Sequence, residues 1–277
     1  HLWFTTEGII GIPLGVASTF VFLFILFGAF LEKTGIGQFF IDIATAVAGW
    51  ARGGPAKVAV ISSALTGTIS GSSVANTVTT GSFSIPMMKK LGYKPEFSAA
   101  VEASASTGGQ IMPPIMGAAA FLMAEFVGVP YVEVATGAII PALLYFTGIW
   151  ISVDLEARKL GLEGMPREEL PNASLVIKEK GYLVLPLIGI IYFLMSGSTP
   201  LRAALAGILL SIVASFLKKD TRMSFKEIIE CLEAGAKGAI SVSIACACAG
   251  IIVGSVTLTG LGLKFGNGLI ELAGGSL

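Results

Sequence analysis

Six stretches of the chain contain no Asp, Glu, Lys or Arg: 8–31, 58–88, 103–124, 134–153, 181–201 and 238–263. About 18 predominantly apolar residues suffice to cross a bilayer as a helix. The pattern therefore predicts an all-α, polytopic membrane protein in contact with a lipid bilayer. Residues 8–31 predict a full spanning helix. In 35–50, Phe39, Phe40, Ile43 and Val47 recur at helical spacing with Asp42 among them. That predicts an amphipathic helix, lying at the membrane surface or packed on the bundle. Residues 131–153 predict a return crossing, and 154–180, with eleven charges, a soluble loop. Residues 181–198 and 200–217 predict two more crossings joined by a turn at 197–200, and 238–263 the last one.

Two stretches depart from a simple lipid-facing pattern. Of the 23 residues from Ser62 to Ser84, thirteen are Ser, Thr or Asn, with Gly67, Gly71 and Gly81 among them. Backbone that breaks at membrane depth is tolerated only where it is buried in protein or lines a cavity. The segment 58–88 thus predicts a re-entrant hairpin with its turn at Ser70–Ser73. Arg52 and Lys57 precede it and Lys89, Lys90 and Lys94 follow it, so both ends belong on the cytoplasmic side. In 97–127, Gly108-Gly109 and Pro113-Pro114 interrupt an otherwise long enough helix. Proline removes a donor and clashes with the preceding turn, which predicts a discontinuous helix unwound at 108–114.

Composition narrows the chemistry. Charged residues are 13% and the net charge is zero, against roughly a quarter charged in soluble domains. No basic face exists for a nucleic acid. The single histidine, His1, excludes a histidine-built metal centre or a Ser-His-Asp triad. Cys246 and Cys248, two apart in a charge-free helix, read as small buried residues. Glu102 and Glu125 are acids within a predicted span, and such acids are functional candidates for a proton or substrate contact. Glu102 lies only about two turns from Lys94, so pairing at the interface is the favoured reading for it, and an interfacial place for Glu125. An apolar first run of 24 residues is too long for a signal-peptide core, and the chain is expected to be an internal piece of something longer.

Thr34-Gly35-Ile36-Gly37 returns as Thr259-Gly260-Leu261-Gly262. The same offset aligns Phe40 with Phe265, Asp42 with Asn267, and Ala48-Gly49 with Ala273-Gly274. Five predicted crossings separate the copies, which places them on opposite faces, the signature of an inverted repeat. The expected organisation is a first-repeat span and arm helix at 1–57, and a transport-type core at 58–130 containing the hairpin 58–88 and the broken helix 97–127. Scaffold-type helices and loops follow at 131–237, and the start of the second repeat at 238–277.

The two breaks, Ser70–Asn76 and Thr107–Pro114, are expected to meet near the midplane. Half-helix N-termini attract anions, whereas unwound carbonyls and hydroxyls form an oxygen cage for a small cation. The absence of a required carboxylate suits a monovalent ion better than Ca²⁺ or Mg²⁺. The alternative is that Gly67-xxx-Gly71 simply allows close helix packing.

GSSVANTVTTGSFSIPMMKKLGY, FSAAVEASASTGGQIMPPIMGAAAFLMAE and AGIIVGSVTLTGLGLKF resemble the large permease subunit of tripartite ATP-independent periplasmic (TRAP) transporters, most of all its TAXI-type, often fused, branch. The resemblance implies an inverted-repeat, elevator-type secondary transporter in the inner membrane. Such a permease imports small organic anions using Na⁺ as coupling ion. Its implied partners are an extracytoplasmic solute-binding protein and a small membrane subunit, separate or fused upstream. Carried onto this sequence, the resemblance implies a sodium site at Ser70, Ser73, Gly109, Met112 and Pro113, and substrate contacts at Asn76, Thr107 and Gln110. The rival readings are an ion channel or passive pore built on the hairpin, a membrane-embedded enzyme, for which catalytic groups are scarce, and a scaffold subunit without a site.

Overall fold

The computed structural model describes residues 3, 6–218 and 221–272, and every regular element among them is helical. In chain order these are α1 (Ile12–Lys33), α2 (Ile36–Ala48), α3 (Gly54–Ser70), α4 (Ser73–Leu91) and α5 (Pro95–Gly108). Then come α6 (Ala118–Val127), α7 (Tyr131–Leu160), α8 (Ala173–Lys180) and α9 (Leu185–Met195). The chain continues with α10 (Pro200–Ser215), α11 (Phe225–Thr259) and α12 (Leu261–Leu272).

Three of these, α1, α7 and α11, are long and apolar enough to cross a membrane. In α1, Phe24, Phe27, Phe30 and Leu31 recur every three or four residues and are buried, giving the helix one packed face. The charge-free runs mark the apolar part of each helix rather than its ends. Helix α7 continues past residue 153 because Asp154 pairs with Arg158 one turn later, at 2.8 Å, and with Lys57 at 2.6 Å. Helix α11 begins at Phe225 rather than 238. Ser224 caps it by accepting from the Glu227 N–H while its own N–H donates to Glu227 Oε2 at 2.8 Å. The predicted 181–198 crossing is a 3₁₀ turn, Gly181–Val184, followed by the eleven-residue α9. At 1.5 Å per residue α9 is only about 16 Å long, short of the roughly 30 Å hydrocarbon core.

The helices form two groups. Helices α1, α9, α10 and α11 share a core with Phe27, Leu31, Ile190, Ala203 and Ile208. Helices α3, α4, α5 and α7 share another, built on Ala56, Ala59, Met88, Val101, Ala105 and Val153. Helix α6 joins them: Phe121 stacks on Tyr131 at 4.2 Å and packs against Phe24 at 4.9 Å. Helix α2 buries Phe39 and Phe40 and packs on α3, which realises the bundle-packed form of the amphipathic helix.

The repeated Thr-Gly pair is a repeated joint. Gly35 (φ +85°) and Gly260 (φ +62°) each stand in the left-handed region between a long apolar helix and a short one. Only glycine takes that conformation without a Cβ penalty. The surroundings differ, since Phe40 is buried and Phe265 exposed. Ala273-Gly274 lies outside the described residues.

Candidate functional site

Helices α3 and α4 pack along one another and part at Gly71-Ser72, within the predicted turn. Gly71 (φ +58°) makes the turn, and Ser72 caps α4 by accepting from the Ala75 N–H at 3.3 Å. The hydroxyls and the amide that suggested a site divide into two sets. Asn76, Thr80 and Ser84, four residues apart, form a buried stripe on the inner face of α4. On the outer face, Thr77 and Ser82 donate to their own helix, at Ser73 O (2.8 Å) and Thr79 O (2.9 Å).

The second break lies later than expected. Gly108 and Gly109 are right-handed and helical, and α5 runs through Gly108 into a 3₁₀ turn, Gly109–Ile111. The chain turns extended at Met112, and α6 resumes at Ala118. The glycines serve contact instead. A Cβ on Gly67 would stand 2.3 Å from Gly109 Cα, and one on Gly108 would stand 2.5 Å from the Tyr145 ring. The packing reading of Gly67 thus holds for that residue. The break itself carries Pro113-Pro114 and Met116, whose φ is +61°. It is tied down by the buried Tyr131 hydroxyl, which donates to Ile115 O and, at 3.0 Å, to Pro114 O.

The two breaks touch. A Cβ on Gly71 would lie 2.2 Å from Met116 O, and Gln110 Nε2 donates to Ser73 Oγ at 3.1 Å. Of the five residues expected to hold sodium, Ser70 has a buried hydroxyl with no hydrogen-bond partner among the described residues. The Met112 and Pro113 carbonyls likewise accept no hydrogen bond there, whereas Gly109 O accepts from the Met112 N–H at 3.3 Å. The three residues expected at the substrate do not converge. Asn76 is fully buried, donates to Ser63 O at 2.8 Å, and leaves its Oδ1 unpartnered. Thr107 is exposed and donates to its own helix at Ala103 O, 2.7 Å away. Gln110 is exposed and engaged with Ser73. A cavity of about 480 Å³ lies on the α1 and α11 side of the tip, lined in part by Phe24, Ser70, Asn76, Met116, Phe121 and Ser241. Of the eight expected site residues only Ser70 and Asn76 line it.

Glu102 is the residue the sequence reading misplaced. It is not at an interface beside Lys94 but 0% exposed, where α3, α4 and α5 meet. Its Oε1 accepts from Ser63 (2.8 Å), Ser106 (2.9 Å) and Thr80, and its Oε2 from Ser84. Counting back from the nearest lysine ignored the helix face. Ser98, Glu102 and Ser106 repeat every four residues beside the buried Val101 and Ala105, and that spacing was visible in the sequence. Glu125, near the end of α6, is exposed.

Long apolar helices, a helix–break–helix pair and a second break against its tip define a multi-pass helical membrane protein with a polar site at its helix breaks. The family model for the tripartite ATP-independent periplasmic transporter, DctM component, matches residues 5–277, and the chain belongs to that family as part of a large permease of the inner membrane. The C4-dicarboxylate TRAP transporter large permease protein DctM of Pseudomonas aeruginosa is 32% identical over 203 residues, 73% of this chain and 47% of that protein. Its namesake in Vibrio cholerae is 32% identical over 199 residues, 71% and 44% of the two chains. A putative TRAP transporter large permease of Haemophilus influenzae is 28% identical over 193 residues, 69% and 45%. The chain thus spans about half the length of these curated relatives, which are permeases rather than enzymes.

Proposed function

We propose that this chain forms part of the membrane permease of a sodium-coupled TRAP-type importer of small organic carboxylates. The observation that carries the reading is the Ser73–Gln110 hydrogen bond, which sets the hairpin tip against the second break. At that junction the buried Ser70 hydroxyl and the Met112 and Pro113 carbonyls are oxygens without partners. Unpaired neutral oxygens of this kind fit Na⁺, a hard monovalent cation that needs no carboxylate. Ser70, Met112 and Pro113 would hold the ion, with Ser73 orienting the tip. Bound Na⁺ would supply positive charge beside an anionic substrate.

The printed names of two relatives indicate C4-dicarboxylates as the substrate class to try first. Delivery by an extracytoplasmic solute-binding protein, a small membrane subunit (separate or fused upstream), re-entry of the hairpin into the membrane and elevator-type motion complete the proposal. The test is uptake of radiolabelled succinate by proteoliposomes holding the full-length permease and its binding protein, with and without a sodium gradient. The expected result is sodium-dependent uptake that falls at least tenfold with Ser73→Ala. Sodium dependence unchanged in both Ser73→Ala and Ser70→Ala would overturn the site.

A further inference from the structure

Glu102 has no part in that junction, yet it is the most completely enclosed carboxyl group described. Its hydrogen-bond partners are four hydroxyls drawn from three helices: Ser63 of α3, Thr80 and Ser84 of α4, and Ser106 of α5. Among the described residues no lysine or arginine pairs with it. An enclosed charge without a counter-ion is costly unless several donors replace water, and an ionisable residue inside a membrane bundle is a functional candidate.

We propose that Glu102 is a proton-binding site, taking up a proton from solvent and releasing it during the working cycle, with the hydroxyl ring holding either form. In the ionised form the hydroxyls donate to the carboxylate. When a proton bonds to one carboxyl oxygen, that oxygen becomes a donor and one hydroxyl must turn to accept, which a Ser or Thr side chain does by rotating its O–H. Thr80 has the alternative acceptors in place: Asn76 O lies 2.8 Å from its Oγ1, and Ser63 Oγ lies 3.0 Å away. One proton is therefore accommodated by rotations alone, without helix movement.

The contacts are those of hydrogen bonds: the Ser63 and Ser106 oxygens sit 2.8 and 2.9 Å from Glu102 Oε1. A Cβ on Gly81 would lie 3.1 Å from Glu102 Cγ, so the stem is enclosed as well. The other titratable groups on the surrounding helices bond elsewhere or are exposed. Lys57 of α3 pairs with Asp154 of α7, Tyr145 of α7 donates to Ser104 O, and Lys89, Lys90 and Glu96 are exposed at helix ends. Asn76 links the cluster to the cavity: it lines the cavity and supplies the carbonyl within reach of Thr80. A rearrangement at the hairpin tip that moves Asn76 thereby alters which partner Thr80 chooses.

The proposal does not depend on the sodium reading, and its test needs no substrate. Infrared difference titration of the detergent-solubilised full-length permease would follow the carbonyl stretch of a protonated carboxylic acid. The expected result is a component that grows as pH falls in wild type and remains after the Glu102→Gln titration, which carries the bands of the other carboxyl groups, is subtracted. Ser84→Ala keeps the carboxyl but removes one of its four hydroxyl partners, and should move the midpoint of that component. An identical titration in wild type and Glu102→Gln would overturn the proposal. So would an unmoved midpoint in Ser84→Ala, which decides alone if Glu102→Gln fails to fold.

Discussion

Gly67→Ala is the sharpest test of how the hairpin meets the second break. The new methyl carbon would stand 2.3 Å from Gly109 Cα. Carbon atoms rest about 3.5–4.0 Å apart, so the first arm of the hairpin and the 3₁₀ turn must separate by roughly 1.2–1.7 Å. The obstructing atoms are backbone and cannot rotate away. Overpacking of this kind costs about 1–3 kcal/mol, and alanine's better helix propensity returns about 1 kcal/mol. Because the obstruction is backbone, the cost belongs at the upper end, about 2–3 kcal/mol, which leaves a net loss of about 1–2 kcal/mol. The same displacement stretches the 3.1 Å Gln110–Ser73 bond and the Gly71–Met116 approach. Thermal unfolding of the full-length permease in detergent measures the loss. The control is Gly137→Ala in α7, where an added Cβ meets nothing within 4 Å; there stability should rise by about 0.5–1 kcal/mol. If Gly67→Ala melted at or above wild type while the control behaved as stated, the contact argument would be refuted.

Three further expectations follow from particular side chains. Lys57 is buried against the Trp150 ring and joins α3 to Asp154 of α7. Lys57→Met should cost about 2 kcal/mol in thermal unfolding, most of it recovered when Asp154→Leu is added; no recovery would count against a charge-pair origin. The Tyr93 hydroxyl is buried with no hydrogen-bond partner among the described residues, and burial, helped by the charges of Asp154 and Glu156, pushes it up to about 12. Its folded value lies above the unfolded 10.0, so its contribution is complete below that pH and lost as pH rises through about 12. Tyr93→Phe should lessen the alkaline loss of stability and be neutral or stabilising by about 1 kcal/mol at neutral pH, read from melting curves across alkaline pH. Ser224→Ala removes the side-chain half of the α11 cap, leaving the backbone N–H that donates to Glu227, and should cost about 1 kcal/mol in the same assay, with Ser224→Asp restoring it.

The span pattern was legible because hydrophobicity acts locally: α1 and the cores of α7 and α11 follow directly from charge-free runs. Their ends were not, because Asp154 and Arg158, or Ser224 and Glu227, extend a helix with charges that the runs exclude. The hairpin turn was legible from Gly71 and the serines beside it. The second break was read one turn early, since a glycine pair announces either an unwound backbone or a close approach, and only the partner at Gly67 decides between them. Thr107 illustrates a similar ambiguity: a hydroxyl near a break is as readily spent on its own helix, here at Ala103 O. Glu102 was misjudged because distance along the chain outweighed helix face, and its four donors come from segments up to 39 residues away.

The way the polar groups of α3, α4 and α5 are satisfied has a mechanical consequence. Thr77 and Ser82 of α4 are tied to their own backbone, and Ser63, Thr80, Ser84 and Ser106 converge on Glu102. The face presented outward is aliphatic and aromatic, at Val74, Val78 and Phe83. Among the described residues a single side-chain hydrogen bond, Thr79 to Glu32 at 3.2 Å, runs from α4 to α1. Moving α4 past α1 would therefore break one side-chain hydrogen bond among the described residues and otherwise exchange one apolar contact for another.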